Sequence, residues 1–341
     1  MYAVIAKRPS AAGFVSASLL LGFTWLSLNY GAAPVSTEKI FAAVFQTDAN
    51  DFEHFVIKEQ RLPRILIAGF VGAMMAAGGA VLQTILANPL ASPALLGITS
   101  GTTLFVVVFG FGLALPTTLH APIAAAGGLF GFLSCLLVAR FAAYGPDPRH
   151  LTLILSGAIV SIFYSAITQA ILLSNAGLRH AALSWTSGNI NHFYIDRLHV
   201  LWPIGLLCLV ILLILSRPIM LVSISDEKAS SAGVSADKLK FVSFALVVVG
   251  CSSAVAVCGP IAFIGLVVPH VVRPFVGAHL GRLLPVSIIV GSTFCVAADL
   301  VARFVFAPLV VNTSVILNLV GGLFFILLVR RFYLVEGGRR L

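Results

Sequence analysis

A succession of apolar stretches, each about as long as a bilayer is thick, constrains this chain more than any other feature. A helix needs about 20 mostly apolar residues to cross about 30 Å of hydrocarbon. Such runs occupy 11–30, 64–86, 93–115, 121–142, 151–173, 199–216, 241–257, 283–304 and 312–329. A further stretch, 259–272, is apolar but short and opens with Gly259-Pro260. It reads as a short or broken span, tolerable only where protein covers its freed backbone groups. The expectation is an all-α polytopic membrane protein of about ten transmembrane helices, or nine crossings if 259–272 is re-entrant. Residues 1–341 form a single transmembrane domain on this reading.

Composition excludes the soluble alternatives. Residues are 59% hydrophobic and only 10% charged, whereas a soluble domain is about a quarter charged. The net charge of +9 is not a nucleic-acid signal, because the basic residues stand singly or in pairs between apolar runs instead of clustering on one face. They do set an orientation. With ten crossings and both termini cytoplasmic, seven of the 21 Lys and Arg lie outside (Lys39, Lys58, Arg61, Arg64, Arg179, Arg197 and Arg303) and the remaining fourteen lie inside. That is the positive-inside bias; nine crossings would export Arg330, Arg331, Arg339 and Arg340. The basic N-terminus and its apolar run are longer than a usual signal sequence, so a retained first helix is expected. The longest polar stretches are 31–63 outside and 217–240 inside, both suited to docking partners.

Signals for chemistry are sparse. No GxxxxGK[ST] occurs, nor any Gly-Lys, HExxH or GxSxG, so no ATP site, catalytic residue, cofactor or metal is expected in this chain. The eight histidines are scattered, and Cys135, Cys208, Cys251, Cys258 and Cys295 all fall in apolar segments as small core residues. Asp299 is the only acid inside a predicted span, four residues before Arg303. It reads as an i,i+4 ion pair or as an intramembrane relay.

The stretch 61–101 carries the most information. Arg61 and Arg64 bracket Pro63 at an outer mouth and are expected to project into water, where they can meet carboxylates or lipid phosphates. Gly72, Ala76 and Ala80 recur every four residues as a face for close helix packing. Gln83 and Asn88-Pro89 then break the helix at membrane depth.

These residues resemble the signature of the FecCD-type permease subunits of bacterial ABC importers for iron-siderophore, haem or vitamin B12. That family shows R-x-P-R, a Gly/Ala run ending in Gln, and N-P-L-A-x-P-x-x-L-G-I. Here these are Arg61–Arg64, Gly72–Gln83 and Asn88–Ile98. Residues 259–273 (GPIAFIGLVVPHVVR), with Pro269, His270 and Arg273, resemble a second block, and Ala298–Arg303 a third. The resemblance spans about residues 60–330.

The resemblance implies a transport component, not an enzyme, in the bacterial inner membrane. Its partners would be a second permease subunit (heterodimer favoured over homodimer), two ATP-binding subunits carrying ATP and magnesium, a periplasmic or lipid-anchored substrate-binding protein, and membrane lipid, with no nucleic acid. A ferric siderophore or related chelate would be the cargo, with haem or vitamin B12 as alternatives inside the family; an ion-gradient carrier is the alternative outside it. Arg61, Arg64 and Arg303 would dock the binding protein. Glu227, Ala229, Gly233 and Val234 match the ATPase-coupling segment, where two short helices hinged at Gly233 can transmit rigid-body motion. On the fifth span Gly157, Ser161, Ser165 and Thr168 share a small, hydroxylated face that either lines the translocation path or packs helix to helix. Tyr144, Gly145 and Pro146 fall in the inner-gate region. One departure stands out: where the family usually shows E-[IL]-P-V-G, this chain has Val310, Val311, Asn312, Thr313 and Ser314. It is compatible with one half of a heterodimer.

Overall fold

Among the residues described by the computed structural model (9–30, 40, 52–142, 151–224, 233, 235–305 and 311–329), all regular structure is helical. In chain order the helices are α1 (Pro9–Asn29), α2 (Phe52–Ile85), α3 (Ile98–Phe111), α4 (Thr117–Ala142), α5 (Leu151–Ser174), α6 (Ala176–Thr186), α7 (His192–Ile224), α8 (Ala236–Cys258), α9 (Ile264–Val276), α10 (Leu280–Phe304) and α11 (Thr313–Val329). Seven are long and apolar enough to cross a membrane, and α3, α9 and α11 are shorter apolar helices. The ten apolar runs of the sequence thus each hold a helix.

The bundle is built around α2, whose apolar window is 83% buried. Its small residues allow this. A Cβ on Gly72 would stand 2.2 Å from the Gly291 carbonyl oxygen of α10, and one on Gly79 would stand 1.8 Å from the Gly265 oxygen of α9. Backbones therefore meet directly, as the Gly72-Ala76-Ala80 spacing predicts.

Two stretches depart from the expected spans. The run expected at 93–115 becomes helical only at Ile98, because Gly97 adopts a left-handed φ of 77°. Residues 86–97 instead form successive turns, with Leu86, Asn88, Ala91, Ser92 and Leu96 buried. Their backbone is satisfied locally: Asn88 Oδ1 accepts from Leu90 N (2.9 Å) and Ser92 Oγ from Leu95 N (3.3 Å), as non-helical backbone in a bilayer requires. Likewise, residues 259–263 are not helical, and the short helix expected at 259–272 runs from Ile264 to Val276. Gly259 (φ 83°) passes so close to Trp185 that a Cβ would lie 1.8 Å from its carbonyl oxygen. Phe263 takes a φ of 66°, a strained conformation for a bulky residue.

Inside α9, Pro269 has no N–H to give the Gly265 carbonyl. Gln83 of α2 supplies the missing donor, its Nε2 reaching Gly265 O at 3.3 Å and Leu266 O at 3.2 Å. Arg273 Nη2 in turn donates to Gln83 Oε1 at 3.1 Å. The conspicuous Gln, Pro and Arg of the two sequence blocks are thus one hydrogen-bonded joint between α2 and α9. The His270 ring stands edge-on to Phe324 of α11, 6.5 Å between centroids. All five cysteines are free and buried.

Candidate functional site

α2 opens with a π-helical turn, Val56–Arg61, just ahead of Pro63. Such a turn takes up the helical register that a proline disturbs. The two arginines that bracket Pro63 do not project into water. Arg61 is 4% and Arg64 8% exposed. Arg61 Nη1 donates to the carbonyls of Leu28 and, at 2.9 Å, Asn29. These belong to the last turn of α1, where carbonyls lack partners within the helix.

Arg64 turns to Asp299 of α10, with Nη2 2.6 Å from Oδ1 and Nε 3.3 Å from Oδ2. Arg303 approaches the same carboxylate, Nε to Oδ2 at 3.0 Å, and its Nη2 donates to Ser27 Oγ at 2.6 Å. Thr313 at the start of α11 completes the set, Oγ1 to Asp299 Oδ1 at 3.1 Å. The Asp299 side chain is 2% exposed. An acid so deeply placed needs opposite charge and donors, which is why the arginines fold inward onto it. The ion-pair reading of Asp299 and Arg303 therefore holds, and its carboxylate is occupied by donors, not placed as a relay. Arg64 and Arg303 thus share the one carboxylate of Asp299, while Arg61 is held by the carbonyls of α1. Ser27 and Thr313, which no motif singled out for a role, brace Arg303 and Asp299 from α1 and α11. Arg197 lies apart, its guanidinium carbon 5.0 Å from the Tyr194 ring centroid and 5.4 Å from that of Phe111.

The small face of α5 divides. Gly157 packs on the turn segment, where a Cβ would meet Leu95 O at 2.1 Å, and Ser161 Oγ donates to Ala94 O at 3.1 Å. Thr168 is buried and bonds back to Tyr164 O at 2.8 Å. Ser165 alone of the four is exposed. Gly157 and Ser161 thus accommodate the irregular backbone at Ala94 and Leu95.

Between α7 and α8, Gly233 is exposed with a left-handed φ of 76°, and no atom lies within 4 Å of where its Cβ would be. Glu227, Ala229 and Val234 lie outside the described residues, as do Tyr144, Gly145 and Pro146.

A family model described as the FecCD transport family matches residues 19–331. The chain belongs to that family. The Fe(3+) dicitrate transport system permease protein FecD of Escherichia coli (strain K12) is 34% identical over 313 residues, 92% of this chain and 96% of that one. The probable siderophore transport system permease protein YfiZ of Bacillus subtilis (strain 168) is 32% identical, covering 96% and 99%. A solved inward-facing structure assigned to the metal-chelate type of ABC transporter matches with a TM-score of 0.77 at 28% identity, over 95% of this chain and 100% of that chain. As a member of the FecCD family, the protein is a multi-span membrane transport subunit.

Proposed function

We propose that this chain is a permease subunit of a binding-protein-dependent ABC importer that carries a ferric siderophore or a related metal chelate across the bacterial inner membrane. The match to the FecCD transport family over residues 19–331 carries the reading; Arg61, Arg64 and Arg303 meet a partner's carboxylates once Asp299 and the α1 carbonyls release them. Relatives named for ferric citrate and siderophore transport support the cargo class.

In this mechanism the loaded binding protein docks on the outer face and delivers its cargo between two permease subunits. Separate ATPase subunits seat on the inner segment around Gly233, and their closure switches the pair between outward- and inward-open states. Binding protein and ATP must favour different states for the cycle to run. A heterodimer is favoured: FecC and FecD, both similar to this chain, are named as permease proteins of one transport system. Both termini face the cytoplasm, and the chain itself does no covalent chemistry.

Uptake of radiolabelled ferric citrate, a ferric hydroxamate and cobalamin is the test, in cells with and without the chain. Deletion should abolish uptake of one ferric chelate, and uptake should persist when the proton gradient is collapsed while ATP is maintained. Gradient-driven uptake by the chain reconstituted without any ATPase would overturn the proposal.

A further inference from the structure

The stretch that departs from the family pattern is tied into two places at once. Thr313 is fully buried and donates its hydroxyl to Asp299 Oδ1 at 3.1 Å. Ser314, 5% exposed, donates its hydroxyl to the Ser187 carbonyl and its N–H to the Gly188 carbonyl at 3.1 Å. Ser187 and Gly188 form the turn that ends α6. The usual Val and Gly at these two places have no side-chain hydroxyl to offer either partner.

Asp299 has little freedom to change one contact without changing the others. A carboxylate offers about four acceptor positions. Here Arg64 Nη2, Arg64 Nε, Arg303 Nε and Thr313 Oγ1 all reach it. Anything that draws the arginines outward must re-aim the carboxylate, and Thr313 is bonded to it. Beyond its first turn α11 is held at Leu317, Gly321 and Phe324, which pack toward α9 and Phe263, and it turns an apolar face outward. Val315, Leu319, Val320, Leu323, Ile326 and Leu327 are exposed.

We propose that Thr313 and Ser314 are positioning residues that make the first turn of α11 a relay, passing the arrival of a partner carboxylate at the arginine cluster to α11 and α6. The inference rests on the docking role given to those arginines above. When the partner's carboxylate takes over Arg64 and Arg303, the hydrogen bonds of Asp299 redistribute and the turn holding Thr313 shifts. Ser314 carries that shift to the end of α6.

The test uses the assembled importer in lipid nanodiscs with the binding protein that copurifies with it. The double variant Thr313→Val, Ser314→Ala removes the two hydroxyl links and keeps the backbone N–H of Ser314 that bonds Gly188. It should bind the loaded binding protein with unchanged affinity and keep the basal ATP hydrolysis rate. Stimulation by the loaded binding protein should fall about fivefold or more, the scale of a lost coupling energy. Thr313→Ser, which keeps a hydroxyl, should retain stimulation. Ser314→Ala alone serves if the double variant fails to assemble, with a smaller loss in the same direction. Wild-type stimulation in the double variant, a parallel loss of affinity and stimulation, or Thr313→Ser behaving like Thr313→Val would each overturn the relay. A wild-type complex that no binding protein binds or stimulates would instead remove the importer reading, and the relay with it.

Discussion

Gly79→Ala should be among the most damaging single-methyl additions to this protein, because of where α2 meets α9. The added Cβ would stand 1.8 Å from the Gly265 carbonyl oxygen, and real Cβ atoms essentially never approach closer than 3.0 Å. The start of α9 must therefore withdraw by about 1.2 Å, the difference between those distances. Gln83 Nε2 reaches Gly265 O and Leu266 O at 3.3 and 3.2 Å, so the same withdrawal stretches both past hydrogen-bonding distance. Overpacking costs about 1–3 kcal/mol and each lost hydrogen bond about 0.5–1.5 kcal/mol, about 2–6 kcal/mol together. Gly69→Ala on the same helix is the control, since nothing lies within 4 Å of its Cβ position. It should be neutral or stabilising by up to about 1 kcal/mol through helix propensity. Thermal unfolding of the two purified variants in one detergent, followed by size-exclusion chromatography, measures the difference. Indistinguishable midpoints for Gly79→Ala and Gly69→Ala would refute the close-contact account of α2 and α9.

Three other outcomes are expected. Asp299→Asn should destabilise the protein by about 3–5 kcal/mol, because it leaves Arg64 and Arg303 uncompensated in a buried site; thermal unfolding should show Asp299→Asn combined with Arg64→Met to be less harmful than the sum of the single changes. Arg61→Glu with Arg303→Glu should weaken association of the binding protein by more than about tenfold, and salt should weaken wild-type association more than that of the variant; equal affinities in a pull-down titration would remove both residues from docking. Gly233→Val should leave the unfolding temperature within a few degrees of wild type, since the residue touches nothing. A β-branched residue resists its positive φ, so ATP hydrolysis should become less tightly coupled to uptake when both are measured in proteoliposomes.

What sequence made legible follows the range of the physics involved. Apolar length and small-residue spacing are local properties, so all ten apolar helices and the Gly72-Ala76-Ala80 face could be read directly. The break at Asn88-Pro89 and the pairing of Asp299 with Arg303 are equally local. Arg64 meets Asp299 across 235 positions, and no spacing rule joins them. The inward folding of the arginines was hidden for the same reason: the exposed end of a helix and a buried acid on another helix look independent until they are packed. The face on α5 misled differently. Glycine and serine at helical spacing signal a close approach, but Ala94 and Leu95, which make that approach, belong to a loop that hydropathy had assigned to a span. α6 escaped because eleven residues capped by Asn175 are too short to register as a crossing.

The joint between Gln83 and α9 bears on how the protein is made. Thirteen residues of helix reach about 20 Å, short of the hydrocarbon thickness, and residues 259–263 ahead of them are not helical. A segment of that kind is a poor substrate for insertion on its own. Its unmet carbonyl is answered only by a side chain synthesised some 180 positions earlier. Biogenesis must therefore hold α2 within reach, unpaired and partly shielded, until α8, α9 and α10 emerge and can be lowered into the bilayer together.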